Sequence, residues 1–290
     1  MKATYKAAAK INLMLDILAR LDNGYHSLFM LMQSVDLYDT VSVEKTDDGK
    51  ITITCDVEGI PCDRKNIAYK AADAFFKHTG VKNSGTAIDI KKKIPHAAGM
   101  AGGSADGAAV IAALNDIFET NLTTAELCKI GVKVGADVPF CLTGGTCLAQ
   151  NIGEILSPLP ALSECFIVLA KPERGVSTKE AYDAFDTAQN VRHLDTCGML
   201  YAASQGDLYG ICKRTKNVFE QLIEVPERVP IKSIMNRHGA LTACMSGSGP
   251  TVYGIFDDES KAQAAAEALK SVVKNIHITR PVSSGLLKTD

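Results

Sequence analysis

The chain has 290 residues, of which 46% are hydrophobic and 22% are charged, and its formal net charge at pH 7 is −2. This composition is close to that of an average globular protein and supplies enough apolar residues for one large domain or two ordinary ones. Because the charges are nearly balanced, bulk electrostatics give no support for binding to nucleic acid or to an anionic membrane surface.

The distribution of apolar, cysteine and histidine residues narrows the class of protein further. No window holds the 18 or more apolar residues of a membrane helix, and Lys6 and Lys10 break the apolar run that a signal peptide needs, so we expect a cytoplasmic protein. The nine cysteines include no C-x-x-C pair and the six histidines are not clustered, which argues against a metal held by the protein alone. We expect buried, reduced thiols at several positions: Cys141, Cys147, Cys165 and Cys244.

The first half of the chain mixes strand and helix patterns. Residues 51–55 alternate apolar side chains with threonine, which predicts a half-buried strand. Residues 66–80 have helical spacing that ends at a glycine. A strand is predicted at residues 85–95, before a glycine-rich loop and an alanine-rich helix, and another helix is predicted at residues 123–135.

A domain boundary is predicted at residues 157–164, which contain two prolines and two serines. The predicted domains are residues 1–158 and residues 159–290. The second opens with an apolar strand, is mostly helical through about residue 240, and closes with a helix and a last strand. Six residues of that helix form one apolar stripe: Ala262, Ala265, Ala266, Leu269, Val272 and Val273. Because strands and helices do not strictly alternate, an α+β fold is favoured over a doubly wound one.

The glycine-rich loop is the most informative segment. Gly99, Gly102 and Gly103 precede a predicted helix start at Ser104. A helix N-terminus offers unpaired N–H groups and the positive end of the helix dipole, which suit a phosphate group. A tight turn packed against another element explains the loop equally well. No lysine follows as in a P-loop, and the G-x-G-x-x-G dinucleotide pattern is not matched.

Three segments in order resemble the GHMP kinases, a family of small-molecule kinases. They are AAAKINLMLDI at residues 7–17, PHAAGMAGGSADGAA at residues 95–109 and MSGSGPTVYGIF at residues 245–256. The resemblance implies a two-domain α+β fold with a mixed-sheet N-terminal domain, a ferredoxin-like C-terminal domain and an active site in the cleft between them. It also implies an ATP-dependent kinase that uses ATP with Mg²⁺.

The second of these segments is the one that the resemblance assigns to ATP. The implied contacts are Pro95, His96, Ala97, Ala98, Gly99, Met100, Ala101, Gly102, Gly103, Ser104 and Ala105. Met100 and Ala101 replace the family's usual Leu-Gly, which still leaves a loop of small residues. The run Ser246–Gly249 either closes over the phosphates as a second glycine loop or is an ordinary turn that enters a strand. A magnesium ligand is not assigned: Ser104 is a candidate, and phosphates plus water could supply most of the coordination.

Other stretches resemble one branch of the family, whose members phosphorylate the 2-hydroxyl of a cytidine diphosphate derivative of methylerythritol in the non-mevalonate isoprenoid pathway. These are Gly24-Tyr25-His26, GADVPF at residues 135–140 and NIGEILSPL at residues 151–159, although Gln150-Asn151 departs from the family's usual Glu-Gly or Thr-Gly. The resemblance implies a small-molecule cytidine diphosphate substrate, contacted by Asn12, Tyr25, His26, Thr178 and Tyr182. An aromatic face stacks on the base and an imidazole reads its polar edge. A surface tyrosine in a hairpin turn is the alternative reading of Tyr25.

Asp137 is the candidate catalytic base. It lies between a glycine and the apolar run Val138-Pro139-Phe140, so its carboxylate should be partly buried and paired. Phosphoryl transfer to a hydroxyl needs an acceptor for the hydroxyl proton. The resemblance supplies Lys10 as the partner, which would keep the carboxylate ionised and neutralise charge on the transferred phosphoryl group. The alternative is a structural ion pair.

Two other functions stay open on the sequence. One is another GHMP kinase activity, on mevalonate or a sugar, and the other is a non-catalytic nucleotide-sensing module on the same fold. We expect no nucleic-acid or membrane partner, and a monomer or weak homodimer.

Overall fold

The computed structural model describes residues 1–289, so that Asp290, the last residue of the predicted second domain, lies outside the described residues. The strands are β1 (Lys2–Arg20), β2 (His26–Lys45), β3 (Ile51–Cys55), β4 (Thr86–Lys91), β5 (Thr146–Asn151), β6 (Ile155–Pro158), β7 (Phe166–Lys171), β8 (Lys216–Asn217), β9 (Thr242–Met245), β10 (Val252–Phe256), β11 (Asn275–Thr279) and β12 (Leu286–Lys288). The helices are α1 (Ile67–Thr79), α2 (Gly102–Ile117), α3 (Thr124–Gly131), α4 (Val138–Thr143), α5 (Thr178–Thr187), α6 (Thr196–Ser204), α7 (Leu208–Arg214), α8 (Arg228–Arg237) and α9 (Glu259–Leu269).

The first sheet is built on a long antiparallel hairpin of β1 and β2. Its strand order is β12-β1-β2-β4-β3, with β5 also paired to β2, β6 to β5 and β8 to β1. The β3–β4 and β1–β8 pairs are parallel and the others antiparallel, so the sheet is mixed, as expected. The register of β1 against β2 shifts at three points, which bends these long strands.

Helix α2 is the central helix of the first layer. Its alanines and larger apolar residues are buried on nearly every side, because it packs against α1, α4 and both long strands. The middle turns of such a helix can be apolar on nearly every side, since they do not meet water. The consequence for the site is that the N-terminus of α2 is rigidly placed at the mouth of the central cleft.

The second sheet has the ferredoxin-like topology. Its order is β11-β7-β10-β9, and all three pairings are antiparallel. With α8 and α9 the chain order is β7-α8-β9-β10-α9-β11, a β-α-β-β-α-β unit. Ile231, Met235, Ala262, Ala265 and Leu269 from these helices form one buried core with the sheet. The predicted α+β class with a ferredoxin-like second part is confirmed.

Some element boundaries differ from those predicted. The strand at 51–55 and the helix that ends at Gly80 are confirmed, and Gly80 adopts a left-handed conformation with φ 72°. The last helix ends at Leu269, so Val272 and Val273 lie in a following turn whose N–H groups bond to the Leu269 carbonyl. Val273 nevertheless completes the same core, because the turn continues the apolar stripe. Helix α2 begins at Gly102, two residues before the predicted start at Ser104, since both glycines adopt helical backbone.

The first sheet also takes strands from the C-terminal half of the chain. Strand β12, near the C-terminus, pairs with β1 of the first sheet, and β8 does so on the parallel side. The Tyr253 hydroxyl on β10 donates to the Asn12 carbonyl oxygen at 2.8 Å, which bonds the second sheet directly to β1. The division into residues 1–158 and 159–290 stays a prediction.

Among the helices of residues 1–289, none is both long and apolar enough to cross a membrane.

Candidate active site

A cleft of about 850 Å³ lies between the β1–β2 hairpin, the glycine loop, α5 and the turn from β9 to β10, and the three motif segments meet at its walls. The glycine loop and the first turn of α2 form one wall, the tip of the β1–β2 hairpin forms another, and α5 forms a third. The cleft is large enough for a nucleotide and a second substrate of similar size.

Lys10 and Asp137 approach each other at the base of this cleft. Lys10 is 4% exposed, and its Nζ lies 3.8 Å from Asp137 Oδ2. Asp137 is the N-cap residue of α4, but its side chain makes no hydrogen bond to the helix end. Its carboxylate is therefore not used by the helix. Asn12 is fully buried beside Lys10, and its Oδ1 accepts a hydrogen bond of 2.7 Å from the lysine Nζ. The cleft lining includes Lys10 and Asp137, whereas Asn12 lies behind the lysine.

The glycine loop carries three backbone conformations in the left-handed region. Gly99 has φ 72°, and a Cβ there would lie 2.1 Å from the Ser246 carbonyl oxygen, so no side chain fits. Ala97 and Ala101 also have positive φ, at 49° and 56°. An alanine in this region is strained by about 1–2 kcal/mol. Such strain held by the surrounding structure is typical of a ligand-binding loop.

The predicted ATP-binding residues fall into two groups. Most line the cleft: Pro95, His96, Ala97, Ala98, Gly99, Ala101, Gly102, Gly103 and Ser104. Met100 and Ala105 instead point into the core, where they are 1% and 0% exposed. The Met100 carbonyl oxygen accepts from the Lys10 N–H at 3.2 Å, so the glycine loop is bonded to the strand that carries Lys10.

The third motif segment fastens the other two together. The Ser246 hydroxyl donates to the Gly99 carbonyl oxygen at 2.9 Å and accepts from the Asn12 N–H at 3.3 Å. Gly247 and Ser248 line the cleft beside the glycine loop. The Asn217 amide donates to the carbonyl oxygens of Met245 and Gly247, which fixes this turn from behind.

Four predicted substrate residues, from the tip of the β1–β2 hairpin and from α5, also come together in the cleft. Tyr25, at the hairpin tip, is 60% exposed, whereas His26 is 7% exposed. Tyr182 stacks on His26 with ring centroids 4.8 Å apart, so one tyrosine face packs on the imidazole. Burial, with a smaller effect of the Asp137 charge, raises the pKa of Tyr182. The Thr178 hydroxyl lies 3.3 Å from the Ser248 hydroxyl and joins this wall to the third motif.

The sequence reasoning missed a buried charged group beneath the glycine loop. Lys92 Nζ donates to Asp106 Oδ2 at 2.7 Å and also to an oxygen of Asp39. Lys92 and Asp106 line the cleft floor, and Asp39 accepts from the backbone N–H groups of residues 93 and 94. Burial, with a smaller effect of the Asp39 charge, raises the pKa of Asp106 to about 7, against the opposing effect of the Lys92 charge. The signal in the sequence is a carboxylate, Asp106, among the alanines at the start of this helix.

Other cleft residues missed by the sequence reasoning come from α1 and α5. Asn66 and Ile67, at the start of α1, face the glycine loop. Asp186, near the end of α5, lies 2.7 Å from His26. These residues carry no local motif, because their proximity to the site arises only from the packing of helices against the sheet.

Comparison with known proteins agrees with this architecture. The family described as "GHMP kinases N terminal domain" matches residues 66–145, and "GHMP kinases C terminal" matches residues 203–275. The chain belongs to the GHMP kinase family. It is 44% identical over 286 residues to a 4-diphosphocytidyl-2-C-methyl-D-erythritol kinase of Clostridium perfringens strain SM101, which covers 97% of this chain and 99% of that protein. It is also 44% identical to the kinase of the same name from Caldicellulosiruptor saccharolyticus, covering 94% and 95% of the two chains.

Solved structures of GHMP kinases superpose on nearly the whole chain. A crystal structure of 4-(cytidine 5'-diphospho)-2C-methyl-D-erythritol kinase matches with a TM-score of 0.79 at 30% identity, covering 97% of this chain and 99% of the other. A homoserine kinase from Cytophaga hutchinsonii matches with a TM-score of 0.78 at 21% identity, covering 99% and 97%. At that identity the second likeness concerns the fold alone.

Proposed function

We propose that this GHMP kinase transfers the γ-phosphoryl group of ATP to the 2-hydroxyl of 4-diphosphocytidyl-2-C-methyl-D-erythritol, in non-mevalonate isoprenoid precursor biosynthesis. The observation that carries the proposal is that Lys10 and Asp137 face the same cleft as the glycine loop on one side and Tyr25-His26 on the other. The identity of 44% along nearly the full chain to kinases of that name supports the choice of substrate.

The first turn of α2 binds the ATP phosphates in this proposal. The N–H groups of Gly102, Gly103 and Ser104 have no partner earlier in the helix, and the helix dipole adds partial positive charge at the same point. Phosphate oxygens are the ligands that suit such a terminus. The side chains that this loop presents to the cleft, from Ala97 to Ser104, are small, because Met100 points into the core, and they let the triphosphate approach the backbone closely.

Asp137 accepts the proton that the substrate hydroxyl loses during transfer. Lys10 Nζ, an ammonium with three donors, bonds to Asn12 and lies 3.8 Å from Asp137 Oδ2. Its positive charge stabilises the oxygens of the transferred phosphoryl group. Asn12 therefore holds Lys10 in place rather than binding substrate.

Magnesium fits this site as an ion that arrives with ATP. Within residues 1–289 no group of three or more histidine, cysteine, aspartate or glutamate side chains could hold a metal. Ser104, in the first turn of α2, lines the cleft and would offer a hydroxyl to the ion, and phosphate oxygens with water would supply the other ligands that Mg²⁺ prefers. The ion would supply positive charge that neutralises the phosphates.

The cytidine end of the substrate lies against Tyr25 and His26, with Thr178 and Tyr182 on the same wall. The exposed ring of Tyr25 offers a stacking face, and the buried His26 offers a polar edge. A cytoplasmic location and a monomeric or weakly dimeric state complete the proposal.

An assay of ADP release with a panel of hydroxyl compounds tests the function. We expect turnover with 4-diphosphocytidyl-2-C-methyl-D-erythritol and background rates with mevalonate, homoserine and galactose. Turnover with one of those three instead would assign the chain to another GHMP activity. ATP binding without turnover of any compound would support the nucleotide-sensing module.

A further inference from the structure

Helix α5 presents a third residue to the cleft beside the two substrate residues already considered. Thr178, Tyr182 and Asp186 are spaced four apart, which aligns them on one helix face, and all three line the cleft. Asp186 Oδ1 lies 2.7 Å from His26 Nε2, and Asp186 Oδ2 lies 3.4 Å from Arg20 Nη1. The catalytic arrangement gives Asp186 no role.

The His26 ring is held firmly in one orientation. Tyr182 stacks on one face at 4.8 Å, and Phe185 meets the ring edge-on with centroids 5.7 Å apart. The ring is 7% exposed, and within residues 1–289 its Nδ1 makes no hydrogen bond. Because His26 lines the cleft, a ligand bound in the cleft is the partner that Nδ1 can bond to.

The partner of Nε2 decides what Nδ1 can do. An ionised carboxylate accepts hydrogen bonds and cannot donate them, so Asp186 holds the imidazole proton on Nε2. In a neutral imidazole the other nitrogen is then an acceptor. Cytosine presents an exocyclic amino group, a donor, at the position where uracil presents a carbonyl oxygen, an acceptor.

We propose that Asp186 is a positioning residue that sets the choice of base: by holding the proton on Nε2 it leaves His26 Nδ1 to accept from the amino group of cytosine and to reject uracil. This inference rests on the proposed function and adds to it the residue that determines which pyrimidine is bound. The ligand class is a cytidine diphosphate, discriminated from the uridine diphosphate of the same shape.

Asp186→Asn tests the proposal sharply. The Arg20 guanidinium only donates, so it draws the amide oxygen toward itself and leaves the amide NH₂ facing His26 Nε2. An NH₂ donor requires Nε2 without a hydrogen, and the imidazole proton moves to Nδ1. His26 then presents a donor to the base, which mismatches cytosine and matches uracil.

Calorimetric binding of CDP and UDP to the full chain is the first measurement. We expect the wild type to bind CDP about 10- to 100-fold more tightly than UDP, as one mismatched hydrogen bond implies. In Asp186→Asn we expect this preference to fall about tenfold or more, through weaker CDP and tighter UDP binding. Asp183→Asn is the matched control, a carboxylate of the same helix at the same cleft whose side chain is not hydrogen-bonded to His26, and it should keep the wild-type preference.

Nitrogen-15 NMR of the His26 ring is the second measurement, and it needs no substrate. We expect a protonated Nε2 and an unprotonated Nδ1 in the wild type, and the reverse in Asp186→Asn. A wild-type ring protonated at Nδ1, alone or together with Nε2, would overturn the proposal. So would an Asp186→Asn variant that weakens CDP and UDP equally. A wild type that does not distinguish CDP from UDP would instead overturn the cytidine substrate itself.

Discussion

Lys10 Nζ is hydrogen-bonded to Asn12 Oδ1 at 2.7 Å but lies 3.8 Å from Asp137 Oδ2, so the lysine is ion-paired with the carboxylate without being hydrogen-bonded to it. The Asp137 side chain is 31% exposed, which leaves it open to a ligand in the cleft. In a purely structural ion pair, we would expect the lysine Nζ to lie within hydrogen-bond distance of the carboxylate. The observed geometry keeps the positive charge near Asp137 while its oxygens stay available to a substrate hydroxyl.

Asp137→Asn should lower kcat by about 10²–10⁴-fold with little change in KM, because the carboxylate acts on the proton that is lost during transfer. Steady-state assays of ADP release with the cytidine substrate measure both constants. Asp73→Asn, which removes an exposed carboxylate from α1, is the control for handling and folding and should match the wild type. Retention of most of the activity by Asp137→Asn would make the residue structural and the mechanism wrong.

Gly103→Val should weaken ATP binding, because a branched side chain in the first turn of α2 crowds the space that phosphate oxygens need beside the backbone. Contact with a neighbouring helix is a second effect that has to be separated from crowding of the phosphates. A Cβ at this position would also lie 3.2 Å from Ile67 Cδ1 on α1. Calorimetry with a non-hydrolysable ATP analogue measures the loss.

Ile67→Val distinguishes the two effects, since it removes only the Cδ1 atom that the new side chain would meet. If crowding of the phosphates is the cause, the double variant Gly103→Val, Ile67→Val should bind ATP as weakly as Gly103→Val alone. Recovery of affinity in the double variant would attribute the loss to helix packing, and near-normal affinity in Gly103→Val would contradict the phosphate-loop assignment.

The Lys92, Asp39 and Asp106 cluster should give the protein a specific pH dependence of stability. Two buried carboxylates share one lysine, and the pKa of Asp106 is raised to about 7 from an ordinary value of 3.8, by burial first and by Asp39 as well. The folded state therefore holds a proton that the unfolded chain has already lost between pH 4 and pH 7. Its contribution to the free energy of unfolding is fully present below about pH 4 and is lost as pH rises through about 7.

Asp106→Asn should remove this contribution, because an amide does not titrate and can still accept from Lys92. Urea unfolding at pH 5 and pH 8 measures it. We expect the fall in stability between these pH values to be smaller in Asp106→Asn than in the wild type by about 1 kcal/mol or more. An identical fall in both proteins would show that Asp106 does not titrate in this window.

The sequence predicted the parts of the site that have short-range signatures. The glycine loop, the Lys10 strand and the Ser246 turn each carry a motif, and the fold joins them through the bonds of Ser246 to Gly99 and Asn12. Asp39 and Lys92 lie 53 residues apart, and no local pattern pairs them. Their contact depends on how the strands pair, which periodicity does not reveal.

The same limit applies to α5 and to element ends. The role of Tyr182 as a stacking face for the base stays a prediction, and the packing of α5 also sets its ring against His26, a tertiary contact that the segment does not reveal. The apolar stripe of the last helix predicts a helix through Val273, whereas a turn after Leu269 continues the same stripe into the core. A buried pattern therefore identified the core residues correctly and the helix end wrongly.

Tyr25 is expected to act on substrate binding rather than on the reaction. Its ring is 60% exposed at the hairpin tip, so its removal should leave the fold intact, and phosphoryl transfer itself has no need of an aromatic ring there. If the ring stacks on cytosine, Tyr25→Ala should weaken CDP binding by about 1–3 kcal/mol and leave binding of an ATP analogue unchanged.

Tyr25→Phe keeps the ring without the hydroxyl and should bind CDP nearly as the wild type does. Calorimetry of both ligands against the three proteins makes the comparison. Equal weakening of CDP and the ATP analogue in Tyr25→Ala would place Tyr25 outside a cytidine pocket, and it would leave this chain a GHMP kinase whose substrate has to be sought elsewhere in the panel.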